Sequence, residues 1–137
     1  MGERAQVEIA RGQPGVARDV ADAELRALRQ QLGNARLPDP QARLLLARGQ
    51  ALQALGDLAR AEDDLQAALA LRHLHDDEAS LWLAQVQIAL AGCLAASGRR
   101  DDAQALLDRA SHIHAKHRPL GRHLAAQLER AREALRS

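Results

Sequence analysis

The chain has 137 residues, a formal net charge of +1 and 47% hydrophobic residues, yet only 1% are aromatic and there is no Phe or Tyr. That length fits a single domain, 1–137, with a real hydrophobic core, and a core made of Leu and Ala favours helices throughout, since both are strong helix formers. No β-branched, alternating run reads as a strand, no apolar run approaches a membrane span, and the lone Cys93 excludes an internal disulfide, so an all-α, soluble, cytoplasmic protein with no membrane contact is expected.

Turn and cap signals at Gly12-Gln13-Pro14, Gly33 to Pro40, Gly56-Asp57, His75-Asp76-Asp77, Gly98-Arg99 and His117-Arg118-Pro119 divide the chain into about seven helices. The first is short, near 3–11, and the second runs near 15–32. The third, near 40–55, places Leu45, Leu52 and Leu55 at helical spacing, and the fourth, near 58–73, does the same with Leu58, Ala61, Leu65, Ala68 and Leu69. In the fifth, near 78–97, Leu83, Val86, Leu90 and Leu94 form one stripe with Trp82, Ala89 and Cys93 beside it, a width that calls for neighbours on two sides. The sixth is expected near 100–116. The last, near 120–135, surrounds Leu124, Leu128 and Leu135 with Arg and Glu, the polar outer face of a capping helix.

One phrase recurs. Gly56 is followed by Ala61, Leu65, Ala68 and Leu71, and 42 residues later Gly98 is followed by Ala103, Leu107, Ala110 and Ile113. A small residue at a turn, then alanines and large apolar residues at these offsets, describes a helical hairpin that stacks on copies of itself. A looser copy, Gly12, Ala17, Ala21 and Leu25, lies 44 residues before Gly56, Ala61, Leu65 and Leu69, with Glu24 where Ala68 stands. Hairpins are thus expected at about 3–32, 40–73 and 78–116, closed by a cap helix at 120–135. The short leading helix suggests a chain that begins inside a repeat.

These positions resemble the tetratricopeptide repeat. The family's small residue in the middle of the first helix matches Gly49 and Ala91, its turn-proximal alanine Ala61 and Ala103, its large apolar residue Leu65 and Leu107, and its late alanine Ala68 and Ala110. The 42-residue period is similar to the kinesin-light-chain-like subclass found in many bacterial signalling proteins. The stretches Ala68 to Asp77 and His117 to Gly121 resemble repeat regions that follow some bacterial Ser/Thr kinase domains, although no kinase motif is present. The missing aromatics, and the missing Pro at the end of the second helix, depart from the family pattern. The resemblance implies an α-solenoid whose first helices line a concave groove for a protein or peptide segment. Groove residues not needed for packing would be Arg43, Gln50 and Gln53, then Gln85 and Ile88. Trp82 is read as buried between helices in preference to an exposed anchor. Leu46 stands where the family's carboxylate clamp would have lysine, which argues against a chaperone C-terminus as ligand.

Chemistry is scarce. His112 and His114 point about 200° apart on one helix, and no Cys or acid completes a ligand set with His117 and His123, so no metal is expected. The serines are Ser80, Ser97, Ser111 and Ser137, with no Thr and no strand to present a nucleophile, so no catalytic residue and no cofactor are assigned. Asp63-Asp64 and Asp101-Asp102 fall in early helical turns, where they complement the helix dipole. Residues 57–78 are acidic and 112–137 basic, but the Arg residues of the last helix alternate with Glu and stacking aromatics are missing, which disfavours nucleic acid. The leading expectation is a non-catalytic protein- or peptide-binding scaffold, part of a larger bacterial signalling or assembly protein. The alternatives are a self-association (homo-oligomer) module, favoured by an exposed apolar edge at the first hairpin, and a sensor of a small peptide or metabolite, favoured by an enclosed pocket around Gln50.

Overall fold

The computed structural model describes residues 2–32, 38–117 and 122–136. Among these there are α-helices and turns and no strand, as the Leu- and Ala-rich composition demands. The chain falls into two compact units, Met1–Arg72 and His73–Ser137.

The first unit holds α1 (Glu3–Ala10), α2 (Pro14–Leu32), α3 (Pro38–Ala54) and most of α4 (Leu58–His75). Where α1, α2 and α3 meet, the buried residues are Ala5, Ala17, Ala21, Ala47 and Ala51, with Ile9 and Val20 packed against them. Side chains this small bring helix backbones close together. At the crossing of α3 and α4 even alanine is too large: a Cβ on Gly49 would lie 2.7 Å from Leu65 Cγ and 3.3 Å from the Ala61 carbonyl oxygen. Gly49, Ala61 and Leu65, matched above to separate positions of the repeat, therefore meet at one contact. Leu44, Leu52 and Leu65 are fully buried, each contributing about 1.5–3 kcal/mol of transfer free energy.

Three turns share one construction. Gly12, Gly56 and Gly98 have φ of 74°, 87° and 84°, the left-handed region that costs L-residues but not glycine. In each, the residue after glycine donates its N–H five residues back (Gln13 to Glu8, 2.8 Å; Asp57 to Leu52, 2.9 Å; Arg99 to Leu94, 2.9 Å), the Schellman closure of a helix C-terminus. The repeated phrase of the sequence is thus a repeated helix stop.

The second unit contains α5 (Leu81–Ala96), α6 (Arg100–Lys116) and α7 (Arg122–Arg136). Helices α5 and α6 pair, and α7 packs on both. Ala91, Ala103 and Leu107, the counterparts of Gly49, Ala61 and Leu65, are all buried. Leu124 and Leu128 bury the inner face of α7, while Glu129, Arg130 and Glu133 remain exposed. Arg132 donates to Ser111 Oγ, and Arg100 Nη1 reaches the Leu135 carbonyl at 3.0 Å.

Helix α5 starts later than its periodicity suggests. Asp77 Oδ1 accepts the Ala79 N–H at 2.8 Å, and Ser80 Oγ donates to Asp76 at 2.8 Å while capping the Leu83 N–H at 3.3 Å. These side-chain bonds compete with the helix and hold residues 77–80 as a corner. Helix α4 runs two residues further than expected. Most of the turn foreseen between Gly33 and Pro40, and the start of the cap helix at 120, lie outside the described residues.

Candidate functional site: a cleft between two helices

Of the residues expected to line a groove, three belong to α3 in the first unit and three to α5 in the second. On α3, Arg43 is half-buried, with its Nε 3.0 Å from Asp39 Oδ2. Gln50 Oε1 accepts from Gln6 Nε2 at 2.7 Å. Gln6 precedes Gln50 by the same 44 residues that separate Gly12 from Gly56, and the bond ties α1 to α3. Gln53, one turn on, is half-buried. Part of the polar face of α3 is thereby engaged within the chain.

On α5 the outcome differs from the expectation. Trp82 is 47% exposed, not buried between helices. It stands second in the helix, on the stripe of Gln85, Ala89, Gly92 and Ala96, none of which is buried, while the buried residues Leu83, Val86, Leu90 and Leu94 occupy other faces. Gln85 is half-buried. Ile88, expected as a groove contact, is only 7% exposed and serves packing, because it falls on the buried arc of a helix apolar nearly all round.

The paired acids of α4 also divide. Asp63 is exposed, as an acid serving the helix dipole would be, but Asp64 is buried and receives two hydrogen bonds from Arg48, Nε at 2.7 Å and Nη2 at 2.8 Å. Arg48 Nη1 reaches Asp22 Oδ1 at 3.0 Å, so one guanidinium joins α2, α3 and α4. Hydrogen bonding to Asp64 raises the Arg48 pKa further above its already high value, against the opposing effect of burial. A second arginine, Arg72, is 4% exposed and donates to Asp39 Oδ1 at 2.9 Å. Burial pushes the Asp39 carboxyl up, but the Arg72 hydrogen bond and the charges of Arg43 and Arg72 outweigh it and hold the group below the usual carboxylate range.

A concave feature that brings together polar, charged and apolar side chains lies in the second unit, in a cleft of about 530 Å³ between the first half of α5 and the second half of α6. Leu83 and Gln87 from α5 and Ile113 from α6 form its floor. Spacings of four on α5 and of three to four on α6 put these side chains on facing surfaces. Glu78 and Asp108 bring carboxylates to the walls, and Arg109 and Lys116 bring cations; all four are exposed. His73 and His112 complete the lining. His117 Nε2, at the end of α6, meets the Ala79 carbonyl oxygen and ties that end of the helix to the corner before α5.

Gln87 is the unusual member. It is 2% exposed, and its side-chain oxygen is buried without a hydrogen-bond partner among the described residues. Buried amide oxygens are normally paired, and leaving one unpaired costs about 1–3 kcal/mol. Among the described residues His114 Nδ1 on α6 and Gln127 Oε1 on α7 likewise meet no partner, but of the three it is Gln87 that lines the cleft. Its signal was present in the sequence as a polar residue within the buried stripe of Leu83, Val86 and Leu90. Arg48, by contrast, carries no comparable mark in the sequence.

No family model, curated protein or solved structure matches this chain. Among the described residues no group of three His, Cys, Asp or Glu side chains is placed to hold a metal ion, and no helix is long and apolar enough to cross a membrane. The His123 side chain lies outside the described residues.

Proposed function

We propose that the chain is a non-catalytic, tetratricopeptide-like scaffold that binds a protein or peptide segment, as a module of a bacterial signalling or assembly protein, with the α5–α6 cleft as its recognition site. The observation that carries this reading is the buried, unpaired side-chain oxygen of Gln87, a residue that lines a cleft of about 530 Å³, within the range of ligand sites. An extended peptide supplies what the oxygen lacks, a row of N–H donors. The terminal amide torsion of Gln is soft, so the carbonyl can turn to a donor in the cleft without disturbing the stem. Glu78 and Asp108 would pair with basic side chains of the segment and Arg109 and Lys116 with acidic ones. Leu83 and Ile113 offer an apolar floor, and the half-exposed Trp82 gives a further contact on another face of α5.

The test is selection of displayed random peptides on the immobilised chain, followed by titration of the enriched sequences against wild type and Gln87→Leu. Replacing a buried amide whose oxygen is unpaired by an apolar group of similar size is expected to leave the melting temperature unchanged or raise it, while peptide affinity falls by about ten-fold or more, the worth of one hydrogen bond and its desolvation. Peptides that bind both proteins equally, or a library that yields no enrichment, would reject the cleft as a recognition site.

A further inference from the structure

Helix α2 has two apolar faces. One, with Ala17 and Ala21, packs into the first unit. The other, Val16, Val20, Ala23 and Ala27, repeats at intervals of four, three and four and forms a straight stripe along the helix. Val16 is 46% exposed, Ala23 and Ala27 are exposed, and Val20 is shared between the stripe and the core. All four line a shallow groove of about 480 Å³, with Arg4 of α1 and with Asp19 and Glu24 of α2 on its sides. This is the exposed apolar edge at the first hairpin that self-association requires.

The charges beside the stripe identify what fits it. Asp19 and Arg26 are seven residues apart, hence on the same flank, and both are exposed. Glu24 is on the opposite flank, where its carboxylate accepts the Gly2 N–H at 3.3 Å. If two copies of α2 lie antiparallel about a two-fold axis between Val20 and Ala23, then Val20 meets the partner's Ala23 and Val16 the partner's Ala27. The same axis sets Asp19 of each copy beside the partner's Arg26, giving two symmetry-related ion pairs. A parallel arrangement would instead leave Asp19 facing no basic residue of the partner's α2 and set Arg26 beside the partner's Glu24, a carboxylate already engaged by the Gly2 N–H. An acid and a base on one flank of one stripe make a self-complementary surface, as an isologous contact demands. The small side chains at Ala23 and Ala27 leave room for the partner's valines.

We infer that this face of α2 is a homodimer interface, in which two copies of the chain pair antiparallel through the Val16–Ala27 stripe. The inference rests on the first unit and is independent of the peptide cleft. One helix face is smaller than a standard protein interface, so the dimer is weak and forms at high micromolar concentration.

Sedimentation equilibrium of the full chain from about 10 μM to 1 mM in low salt tests it. Wild type is expected to pass from monomer to dimer across this range. Asp19→Arg and Arg26→Asp each convert two attractive pairs into two repulsive ones, and each is expected to weaken dimerisation about ten-fold or more. The double variant Asp19→Arg/Arg26→Asp restores complementarity and is expected to return to within about three-fold of wild type, a rescue that a merely destabilised fold would not show. Both sites are exposed, and circular dichroism checks that each variant retains its helices. A monomer throughout the range, a dimer indifferent to the single reversals, or a double variant no better than the singles would each overturn the interface.

Discussion

Asp63 and Asp64 are adjacent and chemically identical, yet one faces water and the other anchors three helices through Arg48. Removing Asp64 leaves a guanidinium with 26% of its side chain exposed and only Asp22 to pair with. Asp64→Ala is therefore expected to cost about 2 kcal/mol, less than for a fully buried pair because Arg48 retains some solvent, whereas Asp63→Ala should stay within about 0.5 kcal/mol. Urea unfolding of the two variants makes the comparison. The distinction was not legible from the sequence, since both acids suit an early helical turn and only the three-dimensional path of α2 and α3 brings Asp22 and Arg48 to one of them.

Asp39 supplies a pH dependence at the same scale. Its carboxyl titrates below the usual range in the folded chain, so the unfolded chain takes up its proton first as pH falls. The stabilisation is fully present above the unfolded value of about 3.9 and is lost as pH drops below that, through the lower folded value. Wild type is expected to lose more stability than Asp39→Asn between about pH 4.5 and 2.5, measured by thermal melts across that interval. Equal losses would mean that the Arg72 contact contributes nothing in solution.

At the scale of the element, the helix stops were the most legible feature of the chain. Gly56 and Gly98 were readable as turn residues, and both take the positive φ that glycine alone adopts without cost. Gly98→Ala is expected to destabilise the second unit by about 1 kcal/mol by strain alone, because nothing lies within 4 Å of a Cβ there. At Gly49 φ is ordinary and crowding acts instead, with Leu65 in the way. Element existence was read well because Leu and Ala periodicity is a local property. The start of α5 was misread because apolar spacing says nothing about the side-chain bonds of Asp76, Asp77 and Ser80 that delay it. Trp82 was misread for a related reason: on a helix that is apolar nearly all round, periodicity does not tell which arc is left to water.

For the whole molecule, the resemblance to stacked helical hairpins drew attention to Arg43, Gln50 and Gln53 on α3, residues that packing did not claim. One of them, Gln50, proved to be bonded to α1, and Ile88 on α5 proved to be buried. The cleft of the second unit depends on Gln87, Asp108 and Arg109, which sit on different helices and come together only once α5 and α6 pair. A charged residue on an exposed helix face carries no mark in the sequence that separates a cleft wall from ordinary solvated surface. The buried glutamine was the part of the site that could have been read, as a polar break in an apolar stripe.

The central claim is that the α5–α6 cleft receives a peptide segment. Its most direct test is an amide chemical-shift map of the isotopically labelled chain titrated with an enriched peptide, with the Gln87 side-chain NH₂ resonances followed alongside. The account predicts saturable shifts concentrated at Leu83, Gln87, Asp108, His112 and Ile113, with the Gln87 amide among the largest. Shifts centred on Arg43 and Gln53 of α3, with the Gln87 amide unmoved, would contradict it.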